Sequence, residues 1–272
     1  MELQELRKTP HLSASAINDY LDCGLLYKFG RIDRIPASFT SDALEFGSAM
    51  HLTLADLHRE KMIGNTMTIA ELHDQFEHYW TRLAETRDDM EYTKGNTFES
   101  LLLQGKELLT VYHDKASWQD YECIAVEEAF SFTVDGCALP IIGAYDLVEK
   151  DSSGTIIITD FKTSARSYSI DEVDKNLQLT LYQMALKENG YHDSEILLRF
   201  DCLIKTKQPK FESYYTTRSD VDEIRARKKI TAVYQAIEQG IFSPNDGPAN
   251  WKCTHCAFKT HCDAWFLRED AA

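Results

Sequence analysis

Thr155-Ile-Ile-Ile-Thr-Asp160-Phe-Lys162-Thr163 is the stretch whose reading decides the fold. β-Branched residues favour an extended chain, and the turn Asp151-Ser-Ser-Gly154 marks where this strand begins. Three consecutive isoleucines put apolar side chains on both faces, which makes the strand central to its sheet. Residues two apart on a strand share a face, so Asp160 and Lys162 project together, at the C-terminal end where α/β sites form. Across the turn lies Gly143-Ala-Tyr-Asp146 on the preceding strand. The hairpin folds Asp146 back to within about a residue or two of the level of Asp160. Two carboxylates and an ammonium then share one small volume. Carboxylate oxygens suit a hard cation such as Mg²⁺ or Mn²⁺, and a lysine beside them can orient or activate an attacking water.

Outward from that hairpin, β-rich segments are expected at Tyr121–Val134, Leu139–Glu149 and Thr155–Thr163, the first two separated by Asp135-Gly136. A helix follows at Ile170–Asn189 and stops at Gly190. Two strands come next, Glu195–Lys205 and Lys210–Thr216, broken by Gln208-Pro209. A charged helix covers Asp220–Gln239, and the loop Pro244 to Asn250 leads to the end of the chain. Upstream, Ser13 or Ser15 can cap a helix through Ile17, Tyr20, Leu21, Leu25 and Tyr27, a helix that would carry Cys23. A second helix is expected over Asp42 to Lys61, with Leu44, Met50, Leu54 and Leu57 at helical intervals. Residues 68–88 and 95–118 show the same periodicity, and the texture turns to strand after Trp118. The pattern is an α/β core with a helical N-terminal elaboration. It reads as one domain, 1–272: N-terminal helices to 61, a helical insertion over 62–118, the core over 119–217, and a C-terminal helix with cysteines over 218–272.

Four cysteines stand at opposite ends of the chain: Cys23, then Cys253, Cys256 and Cys262. C-x2-C-x5-C is metal-site spacing, because thiolates three residues apart can turn toward one ion or cluster. Cys23 is the candidate for the fourth ligand, which would staple the two ends together. His255 and His261 lie inside the cluster, so tetrahedral zinc is the alternative to iron and sulfur. Zinc sites more often come as two local pairs, and the distant Cys23 favours iron–sulfur. Cys123, Cys137 and Cys202 fall in strands, read as small hydrophobes, and carry no assigned chemistry.

The chain has 272 residues, 43% of them hydrophobic and 27% charged, an ordinary globular balance. No apolar run is long enough to span a membrane, no secretory h-region is present, and an odd count of seven cysteines fits reduced thiols; a cytoplasmic protein is expected. The net charge of −15 argues against whole-surface attraction to nucleic acid, although a local basic groove can act on an acidic body. Lys28-Arg31-Arg34, Lys205-Lys207-Lys210 and Arg225-Arg227-Lys228-Lys229 could line one, or be solvated faces.

Asp146, Asp160-Phe-Lys162 and the following Leu177-Gln178-Leu-Thr-Leu-Tyr182 resemble the PD-(D/E)xK nuclease superfamily. The similarity is closest to its RecB/AddB-like branch, which includes the CRISPR-associated iron–sulfur exonucleases. Gly47-Ser-Ala-Met-His51 resembles that branch's G-x-x-x-H helix signature, and Cys23 with C-x2-C-x5-C resembles its [4Fe–4S] ligation. The resemblance implies a restriction-endonuclease-like core, a central mixed sheet flanked by helices, with a C-terminal iron–sulfur region. It implies metal binding by His51, Asp146, Asp160 and the carbonyl of Phe161, with Lys162 positioning the hydrolytic water. Gln178 and Tyr182, i and i+4 on a helix, look like the branch's Q-x-x-x-Y pair. Glu127 in Val126-Glu-Glu-Ala-Phe130 resembles the acidic residue of the family's first strand, with Glu128 as its neighbour and rival. The departures are Asp rather than Glu at 160 and no proline before Asp146.

The expected function is therefore a Mg²⁺- or Mn²⁺-dependent DNA exonuclease acting on single-stranded or unwound ends. Its partner is DNA, with any helicase, CRISPR or recombination protein on another chain. The alternative is a non-catalytic DNA-binding or recombination-accessory module with a structural metal staple. His51 could be a structural helix residue, Gln178 and Tyr182 polar edges of a packed helix, and His58, His73, His78 and His113 surface residues.

Overall fold

The structure, a computed structural model, describes residues 2–93, 95–116, 120–191, 194–247 and 250–267. In chain order the elements are α1 (Leu3–Leu6), α2 (Ala14–Asp22), α3 (Gly24–Tyr27), β1 (Thr40–Ser41), α4 (Asp42–Met62), α5 (Ile69–Glu85), β2 (Met90–Glu91) and α6 (Phe98–Ala116). The core follows as β3 (Glu122–Val134), β4 (Cys137–Lys150), β5 (Ile156–Ser164), α7 (Ile170–Asp174), α8 (Leu177–Leu186), β6 (Ile196–Ile204) and β7 (Lys210–Thr216). Last come α9 (Asp220–Glu238), α10 (Trp251–Thr254) and α11 (Lys259–Phe266). The expected turning point at Trp118 and part of the 244–250 loop lie outside the described residues.

Strands β3 to β7 form one sheet in sequence order. Every neighbouring pair is antiparallel except β5 and β6, which run parallel and are joined by the α7–α8 crossover. The isoleucine-rich β5 is the third of five strands and is buried from Ile156 through Phe161. On one face of the sheet, Ile156, Ile158, Leu198, Phe200 and Cys202 pack with α2, α8 and α9 residues such as Ile17, Leu181 and Ile230. On the other, Leu147, Phe161 and Leu203 pack with Met50, Phe76 and Leu108 of α4, α5 and α6. Burying a side chain the size of Phe161 stabilises by about 1.5–3 kcal/mol, so each face anchors its helices independently. Of the segment expected over 62–118, α6 packs on β6 and β7 and α5 packs on α4 and α6, while α4 covers β3 to β5.

Local chemistry sets the helix boundaries. The Ser13 hydroxyl accepts from the Ala16 amide and starts α2. Thr68 with Glu71, and Ser169 with Glu172, form reciprocal capping boxes at α5 and α7. The helix expected over Ile170–Asn189 is two helices, because the Asn176 side chain accepts from the Leu179 amide at 3.1 Å and starts α8 afresh. Cys23 is not inside a helix either. Its backbone is extended (φ −167°, ψ 121°), and it stands at the joint between α2 and α3.

Two further expectations change. His58 is 3% exposed rather than on the surface; its Nε2 lies 2.8 Å from the Tyr112 hydroxyl and its ring stacks on Phe161. Burial first, then the charges of Lys61 and Arg199, push its pKa down to about 3, so it is neutral in the fold. Leu44, placed on the apolar face of α4 by periodicity, is 62% exposed, and Phe46 is buried instead. Beneath α4 lies a buried network the pattern did not announce. Arg199 Nη2 is 2.7 Å from Glu149 and its Nε 3.3 Å from Asp201, while Ser213 donates to Asp201 at 2.7 Å. The charges compensate one another, so the network is a structural knot.

The two ends of the chain meet through hydrogen bonds to the backbone. The Gly24 amide donates to the Ser243 carbonyl at 2.9 Å, the Tyr20 hydroxyl to that of Ile241 at 2.7 Å, and Ser38 pairs with Ala257. A Cβ on Gly24 would sit 2.6 Å from the Ser243 nitrogen and 2.7 Å from the Phe242 carbonyl carbon. Backbone cannot yield there as a side chain can. Gly24→Ala is expected to cost about 1–3 kcal/mol and lower the melting temperature by several degrees. An unchanged thermal melt would show that the two ends are not in register as described.

Candidate active site

The β4–β5 register pairs Leu147 with Thr159, so Asp146 stands directly opposite Asp160. Asp146 Oδ2 accepts the Phe161 amide at 2.8 Å, a hydrogen bond that ties the two strands at the site itself. Asp160 is fully buried. Its Oδ2 lies 2.6 Å from Lys162 Nζ, but off the line of a hydrogen bond, so that oxygen is paired in charge and lacks a donor. The Tyr182 hydroxyl donates to Asp160 Oδ1 at 3.3 Å.

From α8, Gln178 completes a closed circuit. Its Oε1 accepts from Lys162 Nζ at 3.1 Å, and its Nε2 donates to the Tyr182 hydroxyl at 2.9 Å. The i, i+4 spacing puts both side chains over the same end of β5. Lys162 also stands 5.3 Å from the centre of the Phe200 ring, which fixes its stem. Burial pushes the lysine pKa down, yet the charges of Asp160 and Asp146 outweigh it and hold the ammonium charged.

α4 crosses this end of the sheet and delivers His51, whose Nδ1 is 3.3 Å from Asp146 Oδ2. The His51 ring meets the Phe161 ring edge to face, with centroids 6.1 Å apart. Burial pushes the imidazole pKa down against the pull of Asp160, which leaves the ring neutral, the form that binds a metal. Gly47, one turn earlier, is not forced by packing: a Cβ there would meet only Thr163 Oγ1, at 3.6 Å.

β3 contributes Glu127. One ligand atom each from His51, Glu127 and Asp146 lie within 4.8 Å of one another, the single such group among the described residues. Glu127 has φ +52°, a left-handed backbone in the middle of a strand. A non-glycine residue held there costs of order 1 kcal/mol, and such strain gathers at working sites. Glu127 and Glu128 are both exposed; Glu128 is in register with Tyr145, and Glu127 is the one that joins His51 and Asp146. Three carboxylates face one ammonium. Burial first, then the charge of Asp160, drives the Asp146 carboxyl well above its ordinary range. Such a set is short of positive charge, and its oxygen and imidazole donors fit a divalent cation.

Every side chain singled out from the sequence for this centre is therefore in one place. The four end cysteines also converge: Cys23, Cys253, Cys256 and Cys262 line one cavity together with Leu25, Phe29 and Phe258. All are free thiols. Burial first, then the neighbouring cysteines, push Cys256 and Cys262 up, the electrostatics of a thiol set that a soft cation would relieve. What sequence reasoning missed is the approach. An open cleft of about 650 Å³ runs up to Glu127, Asp146 and Tyr182, and its other wall carries Arg7, His11 and Ser15. No motif marks those three.

A family model described as the PD-(D/E)XK nuclease superfamily matches residues 11–263. Among solved structures, a protein called "Putative exonuclease" from Eubacterium rectale superimposes with TM-score 0.55 at 12% identity, over 90% of this chain and 87% of that one. A second, called SSO0001, gives TM-score 0.37 at 13% identity over 92% and 94%, too low to carry an argument. At such identity the first likeness speaks for the fold alone. No curated protein matches the chain.

Glu127→Gly separates strain from chemistry, since glycine adopts φ > 0 freely and brings no carboxylate. The variant is expected to melt no lower than the parent, or slightly higher, and to bind Mn²⁺ more weakly by calorimetry. A lower melt with unchanged Mn²⁺ affinity would make Glu127 a structural residue.

Proposed function

The chain belongs to the PD-(D/E)XK nuclease superfamily, and from that membership and the site geometry we propose that it is a Mg²⁺- or Mn²⁺-dependent DNA exonuclease acting on single-stranded or unwound ends. The observation that carries this is the meeting of His51, Glu127, Asp146 and Asp160 with Lys162 at one strand end. A non-catalytic binding module would have no use for so costly a concentration of buried carboxylate.

His51, Asp146, Asp160 and the Phe161 carbonyl would hold the cation, with Glu127 beside them. The cation would supply charge neutralisation for the phosphodiester and polarise it toward attack. Lys162, clamped between Asp160 and Gln178, holds the attacking water and offsets the charge that develops on the phosphoryl oxygens. Tyr182 steadies Asp160, and Gln178 keeps Lys162 and Tyr182 in one arrangement. Water attacks phosphorus, the bond to the leaving sugar oxygen breaks, and that oxygen takes up a proton.

The four cysteines would hold a structural [4Fe–4S] cluster. Cys23 stands far in sequence from the other three, whereas zinc sites more often come as two local pairs, and that spacing favours the cluster over zinc. Free thiols throughout fit the reducing cytoplasm. No described helix is long and apolar enough to cross a membrane. Any unwinding activity would come from a partner on another chain.

Labelled single-stranded DNA incubated with the protein and Mn²⁺ should be degraded, and EDTA should stop it. Asp160→Ala and Lys162→Ala should each lower the rate by at least roughly 10²–10³-fold with the fold and the brown iron–sulfur absorbance intact. Cleavage retained in the double variant would remove the mechanism, and a colourless protein carrying zinc would replace the cluster.

A further inference from the structure

Resting on the nuclease reading above, we propose that Arg7, with His11 beside it, forms a strand-gripping subsite that positions a single strand in the cleft before the catalytic carboxylates, Arg7 on a phosphate and His11 on a base. Three observations carry it. The first is continuity: Arg7, His11 and Ser15 line the same open cleft of about 650 Å³ as Glu127, Asp146 and Tyr182. That is room for a few nucleotides of one strand.

The second is anchorage. Leu12 is fully buried and bridges to β4 like an added strand, its amide donating to the Pro140 carbonyl at 3.0 Å and its carbonyl accepting from Ile142 at 2.9 Å. His11 is thereby fixed at the cleft, one residue from a core position, and α1 with Arg7 is carried along. The His11 Nδ1 lies 2.7 Å from the Thr9 carbonyl. A carbonyl can only accept, so Nδ1 carries the proton, and Nε2 is left an acceptor suited to a base N–H rather than to a phosphate oxygen.

The third is charge. Arg31, also on this wall, is committed to Asp19 at 2.6 and 2.8 Å and to Ser15 at 3.2 Å. Arg7 makes no salt bridge among the described residues and is exposed. An uncommitted guanidinium opposite a carboxylate cluster, on a chain of net charge −15, is where a polyanion's neighbouring phosphate would be held. The cleft is also two-sided in chemistry: the half-buried Leu3 offers apolar surface to a base that a single strand exposes.

The test measures both binding and cleavage of a fluorescein-labelled oligodeoxynucleotide by the full-length protein, over a range of salt. Arg7→Ala/His11→Ala is expected to raise KM roughly tenfold with kcat within about twofold, and to make log K against log salt shallower by about 0.7 per lost contact. Arg7→Lys should recover part of the loss, because charge rather than packing is at stake. Unchanged KM and salt slope, or an Arg7→Lys variant no better than Arg7→Ala, would overturn the subsite. If the wild type binds but does not cleave while the double variant binds weakly, the subsite stands and the nuclease reading falls. If the wild type cleaves while the double variant is indistinguishable from it, only the subsite falls.

Discussion

Asp146 facing Asp160 across the β4–β5 hairpin is the constraint around which the molecule is arranged. Two carboxylates buried side by side repel each other and forgo water, an arrangement that a protein keeps only where something else will offset it. The hydrogen bond from the Phe161 amide to Asp146, the Lys162 ammonium and the Tyr182 hydroxyl offset part of that cost. What remains, with His51 and Glu127 at the open side, is a deficit of positive charge shaped to a divalent ion. The sheet, both helical layers and the crossover all serve to hold that pair still: β5 is central, α4 brings the imidazole from one face, and α8 brings Gln178 and Tyr182 from the other.

The same electrostatic argument explains how an acidic chain can handle a polyanion. A net charge of −15 repels nucleic acid at long range, so attraction has to be local. Two of the basic residues flagged as a possible groove, Lys28 and Arg31, are neutralised by Asp33 and Asp19. Within the cleft beside the carboxylates, the cation without a salt bridge among the described residues is Arg7, in a segment with no periodicity to notice. At the far end of the same N-terminal arm, the contacts of Gly24 and Tyr20 with the 241–243 segment bring Cys23 to the other three cysteines.

Much of the centre was legible because β-strand geometry is strict. Ile156-Ile-Ile announced a central strand, the Ser-Ser-Gly turn announced a hairpin, and together they brought Asp146 to within about a residue or two of the level of Asp160. The crossover helix was harder. Periodicity continues through Asn176, and only the capping preference of that one side chain divides it. His58 misled because a histidine on a helix looks like surface until a tyrosine from another helix, Tyr112, supplies its partner. The left-handed turn at Glu127 has no signature, since nothing in Val126-Glu-Glu-Ala-Phe130 calls for positive φ; it is imposed by the neighbours. Long-range facts of this kind are beyond local pattern.

The account's central claim is that the buried carboxylates form a cation's seat rather than a structural knot, and thermal stability with and without Mn²⁺ tests it most directly. Asp146→Asn keeps an oxygen for the Phe161 amide and removes the repulsion with Asp160. Without metal the variant should melt higher than the wild type, and on adding Mn²⁺ the wild type should rise while the variant does not. A variant that melts lower without metal, with Mn²⁺ raising both proteins alike, would mean that Asp146 holds the fold together and that no cation binds there.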